Sequence, residues 1–305
     1  MPQVPLWESE EMYKRSLQVL IDNSNIRQSA LLHLNQDAAA EALKKVIDTV
    51  DPSEPLKILG IGSGPGDRDL LILPTIGEYF TSKKGKKPAL QNVIVEPSSC
   101  LLDEFKAKVS SLPPLLQQIN ESISFEWHQK TFREFHEETA EKNRFQLIHF
   151  YHSIYYLDVE YALRSCFEEH LTTDSGVILC LVQAEDSFFA LVSHKFKGKL
   201  SCGSEDMAFR TDQELVAIAE KHGWKYSVPF KEQFEINVTS CLAEEPTERG
   251  DLLIDFLTQQ QNFRATAEPD LYHSVIEFID SLTFTKENGD KFVQGRSAVV
   301  IIYKW

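Results

Sequence analysis

Cysteine is scarce in this sequence and scattered where it occurs. Cys100, Cys166, Cys180, Cys202 and Cys241 are the only five in 305 residues, with no C-x-x-C or similar spacing. Neither a disulfide frame nor a metal site is expected from them, and they read as reduced thiols. Long apolar runs are also missing. No stretch approaches the roughly 20 apolar residues of a membrane span. The start, MPQVPLWESEEMYKR, has no basic segment leading into an apolar one, so no secretory signal is expected and the reading is cytoplasmic. The sequons at Asn120 and Asn237 are then chance. Positive charge is in deficit too: 31 Lys and Arg against 46 Asp and Glu leave a formal net charge of −15. Such a surface repels phosphate backbones and anionic lipid, which argues against nucleic-acid and membrane partners. The one basic cluster, Lys83, Lys84, Lys86 and Lys87 around Gly85, reads as a solvated loop. A neutral or cationic small molecule suits the field better.

What is present is a periodic α/β pattern. With 42% hydrophobic residues a substantial core can form. Apolar spacing predicts helices over 8–23 and 38–50. A short strand, Leu56–Leu59, then enters a glycine-rich turn and an apolar stretch, 70–79, which Pro74 should kink or shorten. Strands at 92–96, 123–127, 145–151 and 177–182 alternate with helices at 98–111, 132–142 and 158–170. Helices over 186–196 and 211–222 follow. The last third holds a strand-like run, 224–242, helices at 251–262 and 269–280, and a terminal strand, 297–303. The alternation indicates a mostly parallel sheet covered on both faces.

The informative segment is Gly60-Ile61-Gly62-Ser63-Gly64-Pro65-Gly66. A strand running through such a turn into a helix brings main-chain N–H groups close to a nucleotide-like ligand. A dinucleotide fingerprint needs glycines at relative positions 1, 3 and 6. Counting from Gly60, position 6 is Pro65; from Gly62 it is Asp67. Both registers fail, which argues against a nicotinamide enzyme. The run G-x-G-x-G-x-G instead matches the loop that wraps S-adenosyl-L-methionine in class I methyltransferases. Glu96 ends the next strand, where a carboxylate can accept from both ribose hydroxyls.

On KILGIGSGPGDRDL (Lys57–Leu70), VEPSS (Val95–Ser99), EWHQKT (Glu126–Thr131), LIHFYHSIYYL (Leu147–Leu157) and GDLLIDFLTQQQNFRATAEPDL (Gly250–Leu271), with the Tyr13–Ser24 helix, the chain resembles the histamine N-methyltransferase family. The resemblance implies a monomeric Rossmann-like class I fold with a seven-stranded, mostly parallel sheet and no metal. Residues 1–50 would form a helical cap and 51–200 the cofactor core. Residues 201–305 would complete the sheet and elaborate the substrate pocket, all in one compact unit. Gly60, Gly62, Ser63, Gly64 and Gly66 would hold the methionine part of the cofactor. Glu96 would hold the ribose; Pro97, Ser98, Leu101, Thr131, Phe132 and Tyr151 complete the cofactor contacts. Trp7, Tyr13, Tyr155, Tyr156, Phe188 and Phe256 would line an amine pocket. Where the family places a carboxylate, a glutamine and an asparagine against histamine, this chain has Ile26, His152 and Gly295. Arg296, beside Gly295, would suit a substrate carboxylate.

The reaction implied is in-line methyl transfer to a small imidazole or amine, releasing S-adenosyl-L-homocysteine. Alignment can supply on the order of 7–11 kcal/mol of the barrier. His152 and Tyr155 would orient the acceptor, with activity falling as His152 protonates near pH ~6–7. A carnosine-like or histidine-derived acceptor, an arylalkylamine, and a cofactor-binding homologue without catalysis are the alternatives.

Overall fold

Short, almost uninterrupted apolar runs form the central strands. β1 (Leu56–Ile61), β2 (Leu90–Val95), β4 (Leu147–Tyr151) and β5 (Gly176–Gln183) are buried along nearly their whole length, as parallel strands covered on both faces must be. The others are β3 (Ile123–His128), β6 (Lys225–Asn237), β7 (Phe284–Thr285) and β8 (Lys291–Lys304). The order is β3-β2-β1-β4-β5-β8-β6, and β7 pairs antiparallel with β8 off this path. The pairs among β3, β2, β1, β4 and β5 are all parallel. This is the doubly wound, Rossmann-like arrangement expected from the sequence. The two-residue β7 is the addition, too short to show a period.

The computed structural model describes residues 3–26, 31–51, 53–86, 89–111, 123–139, 144–173, 175–200 and 210–305. Lys87, Asn120, Cys202 and the end of the helix expected over 132–142 lie outside them. The helices are α1 (Glu10–Asp22), α2 (Leu31–Thr49), α3 (Asp67–Lys84), α4 (Ser99–Ser110), α5 (Phe132–Thr139) and α6 (Val159–Ser165). They continue with α7 (Phe188–Lys195), α8 (Asp212–Lys221), α9 (Glu248–Thr258), α10 (Phe263–Thr266) and α11 (Pro269–Ser281). The four described cysteines are free thiols. Among the described residues no helix is long and apolar enough to cross a membrane.

Pro74 does not shorten α3, which runs 18 residues through it. An interior proline costs about 3 kcal/mol. Burial of Ile72, Leu73, Ile76 and Phe80 offsets that at about 1.5–3 kcal/mol per side chain. The helix expected over 158–170 also differs, since α6 gives way to a π turn at Cys166–His170.

The described chain divides into two compact units. One comprises 1–31, 183–211 and 231–298; the other comprises 32–182, 212–230 and 299–305. They interleave in sequence, so each of the segments 1–50, 51–200 and 201–305 contributes to both. The glycine turn and Glu96 belong to the second unit.

Candidate functional site

Between β1 and α3 the backbone turns through three left-handed residues, with φ of 66° at Gly62, 56° at Gly64 and 76° at Gly66. Only glycine takes that conformation at little cost. Crowding adds a second requirement. A Cβ at Gly62 would stand 2.5 Å from Ser153 Cβ, and one at Gly66 2.2 Å from the Phe105 ring. At Gly60 it would lie 2.5 Å from Ser63 Oγ and 2.8 Å from His149 Cε1. Gly64 is the exception, with nothing within 4 Å. Its open side is where a ligand can approach the main chain.

Glu96 follows the tip of β2 and is only 5% exposed. Its Oε2 accepts from Gly64 N at 2.8 Å and its Oε1 from Ser98 N at 3.0 Å. The carboxylate thus ties the glycine turn to the start of α4. Gly62 N donates to Val95 O at 2.8 Å and Glu96 N to His128 O at 3.1 Å, which fixes both loops to the sheet. Ser98 caps α4, its Oγ accepting from Leu101 N at 3.2 Å. Pro97 is exposed.

Beneath the turn lies a buried polar layer that the sequence reading missed. Ser63 Oγ donates to Asp69 Oδ1 at 2.9 Å, and His149 Nε2 stands 3.3 Å from the same oxygen. Asp69 and His149 are each 1% exposed. Burial disfavours both charged forms, raising Asp69 to about 7 and lowering His149 to about 3. The contact is therefore closer to a neutral pair than to a salt bridge. Because the folded pKa of Asp69 lies above its unfolded value, its contribution to stability is complete below pH ~4 and is lost as pH rises through about 7. Asp69→Asn keeps an acceptor for Ser63 and cannot ionise. Its melting temperature relative to the native chain is expected to rise between pH ~4 and ~7. A flat difference would show Asp69 to be ionised throughout.

At the end of β4, Tyr151 stacks on His149, with centroids 4.5 Å apart and planes 29° apart. The next residue, His152, has φ 55°, a conformation that costs a non-glycine residue on the order of 1–3 kcal/mol and recurs at functional sites. Its Nδ1 is 2.9 Å from Tyr155 Oη. Tyr155 is 7% exposed and Tyr156 37%. Tyr151 Oη and His152 Nε2 are buried without a hydrogen-bond partner among the described residues. Burial, with the charge of Arg68 as a second cause, lowers His152 to about 3. The expected loss of activity near pH 6–7 through His152 is thereby corrected: this imidazole stays neutral well below that range. Ser153 Oγ donates to Ile61 O at 2.5 Å and packs on Gly62, another partner of the turn that the sequence reading did not single out.

Comparison with known proteins agrees with this geometry, although no protein-family model matches the chain. It is 26% identical to the histamine N-methyltransferase of Danio rerio over 304 residues, 97% of each chain. It is also 26% identical to that of Bos taurus over 301 residues, again 97% of each. Among solved structures, loganic acid methyltransferase with SAH superposes with a TM-score of 0.54 at 12% identity, covering 90% of this chain and 94% of that one. A cyclopropane-fatty-acyl-phospholipid synthase-like protein from Lactobacillus casei gives 0.51 at 14% identity, over 95% and 99%. The chain is a methyltransferase, and its similarity to the histamine N-methyltransferases runs over nearly its whole length.

In this methyltransferase the remaining predicted site residues fall in several places. Leu101 is partly buried in the first turn of α4. Thr131 spends its hydroxyl on the cap of α5, donating to Glu134 Oε2 at 2.8 Å and accepting from Glu134 N at 3.3 Å. Phe132 is 3% exposed and packs on His136, Tyr161 and His170, so its ring serves that cluster. Trp7, Tyr13, Ile26, Phe188, Phe256, Gly295 and Arg296 all belong to the first unit. There Tyr13 lies 6.0 Å from Phe256, and Phe256 6.3 Å from Phe189, which in turn meets Phe188 at 5.7 Å. Phe189 is a member of this group that sequence reasoning overlooked. Trp7 and Ile26 are partly buried. A Cβ at Gly295 would stand 2.2 Å from the Phe234 ring, so only main chain is available there. Arg296 is ion-paired with Asp186.

Proposed function

We propose that this methyltransferase uses S-adenosyl-L-methionine to methylate a nitrogen of a small imidazole or amine. The observation that carries the reading is Glu96, a buried carboxylate hydrogen-bonded at 2.8 Å to the one glycine of the turn with open space beside it. Each carboxylate oxygen can accept more than one hydrogen bond, so the side chain suits paired ribose hydroxyls while it holds the turn. The partnerless Tyr151 Oη and His152 Nε2 are polar groups of the sort a bound ligand would satisfy. The residues present fit an adenosyl sulfonium, whose methyl carbon is electrophilic when bound.

The task left to the chain is positioning. With the His152 Nδ1–H donated to Tyr155 Oη, Nε2 is a bare acceptor. It would take the far N–H of an imidazole acceptor, leave the attacking nitrogen unprotonated and stabilise the cation as it forms. Tyr151 and Tyr156 flank that position in sequence. The resemblance alone assigns Trp7, Tyr13, Phe188 and Phe256 to the acceptor.

The test is methyl transfer from labelled S-adenosyl-L-methionine to histamine, carnosine, histidine and arylalkylamines, each followed from pH ~5 to ~8. Transfer to at least one imidazole is expected. Any acid-limb inflection should track the pKa of the acceptor and persist in His152→Gln. Cofactor binding with no turnover across the series would replace this reading with that of a non-catalytic binding protein.

A further inference from the structure

Arg68 was not singled out by the sequence reading. It is the second residue of α3, two positions beyond Gly66, and is partly buried. Its guanidinium makes no hydrogen bond or ion pair among the described residues. The adjacent carboxylate, Asp67, is taken by Lys108 Nζ at 2.6 Å. Arg68 lies within electrostatic reach of Tyr151, His152 and Tyr155. Tyr151 is 8% exposed, and its Oη is one of the orphaned buried atoms of this corner. Burial disfavours the charge on Arg68 and lowers its pKa. Asp67 acts on Arg68 electrostatically but already serves Lys108, and a partly desolvated cation gains from a further anionic partner. Arg68 precedes Asp69, which meets His149, and Tyr151 stacks on His149; a guanidinium and a phenol O–H at one corner of the turn are donors, and the chemistry that completes them is a carboxylate.

We propose that Arg68, with the Tyr151 hydroxyl, receives the carboxylate of an amino-acid group at the glycine turn, namely that of the cofactor's methionyl end. The assignment rests on the cofactor reading above. A carboxylate on the acceptor is the competing source of the same chemistry.

Calorimetry with two probes separates these cases. S-adenosylhomocysteine carries the carboxylate, whereas 5′-methylthioadenosine keeps the adenosyl thioether without it. Arg68→Met is expected to weaken S-adenosylhomocysteine at least tenfold and to leave 5′-methylthioadenosine within about twofold. Arg68→Lys should recover part of the loss. Equal weakening of both probes would make Arg68 a support of the turn and overturn the proposal. If neither probe changes, while KM rises only for acceptors bearing a carboxylate, the assignment to the cofactor is overturned in favour of the acceptor. If the native chain binds neither probe, the cofactor reading itself fails, independently of Arg68.

Discussion

Replacing Glu96 with alanine is expected to weaken S-adenosylhomocysteine binding by about a hundredfold or more and to reduce methyl transfer to background. Two hydrogen bonds from ribose hydroxyls to a charged acceptor contribute about 1.5–3 kcal/mol each. Together they amount to two or more factors of ten in affinity, at about 1.4 kcal/mol per factor. The substitution also removes the acceptor of Gly64 N and Ser98 N, and unsatisfied buried donors cost about 1–3 kcal/mol apiece. The turn should loosen as the ribose contacts disappear. Glu96→Gln keeps the volume but places an amide NH2 against a main-chain N–H. A loss nearer tenfold is expected there, with melting temperature close to native. Calorimetry on both variants is the measurement. An alanine variant that binds within about threefold of native would remove Glu96 from the cofactor site.

The second large effect concerns stability. Gly66→Ala places a left-handed residue (φ 76°) and a Cβ 2.2 Å from the ring of Phe105. That ring has little room to yield. It is fully buried, packs with Ile94 and Leu102, and meets Trp127 edge-on at 5.1 Å. Left-handed strain of about 1–2 kcal/mol and overpacking of about 1–3 kcal/mol together remove a large share of a typical 5–15 kcal/mol. Gly64→Ala is the matched control. It shares the sign of φ but has nothing within 4 Å, so only the strain should appear in denaturant melts. Equal destabilisation of the two would show that crowding at Phe105 is not what requires glycine at 66.

The sheet and the glycine turn were legible because both are local. β1, β2, β4 and β5 are runs of apolar residues with strand length, and the turn is a spacing of glycines that excludes the dinucleotide pattern. Glu96 was legible because it ends a strand that follows the turn. What stayed hidden depends on contacts distant in sequence. Asp69 looks like an ordinary acidic residue in the first turn of a helix until His149, 80 residues on, is seen against it. Arg68 looks like a surface cation until Tyr151 and His152 are found near it. The partner of Arg296 stayed hidden too, because nothing in a linear reading pairs it with Asp186. Pro74 shows the limit of a local rule, since burial on either side of it carries α3 through. The His152 titration erred for a related reason: desolvation is a property of the folded surroundings and not of the residue type.

The order of strands bears on how the chain is made. β8, the last described strand in chain order, lies between β5 and β6 in the sheet. Until Lys291–Lys304 has emerged, β5 offers an unpaired edge, and the 13 residues of β6 lack their neighbour on the sheet path. Such edges invite pairing with other nascent chains, and pairings that wait on distant sequence form slowly. Biogenesis of this methyltransferase is therefore most vulnerable in the interval between synthesis of β6 and arrival of β8, when a chaperone that shields open strand edges would have its greatest effect.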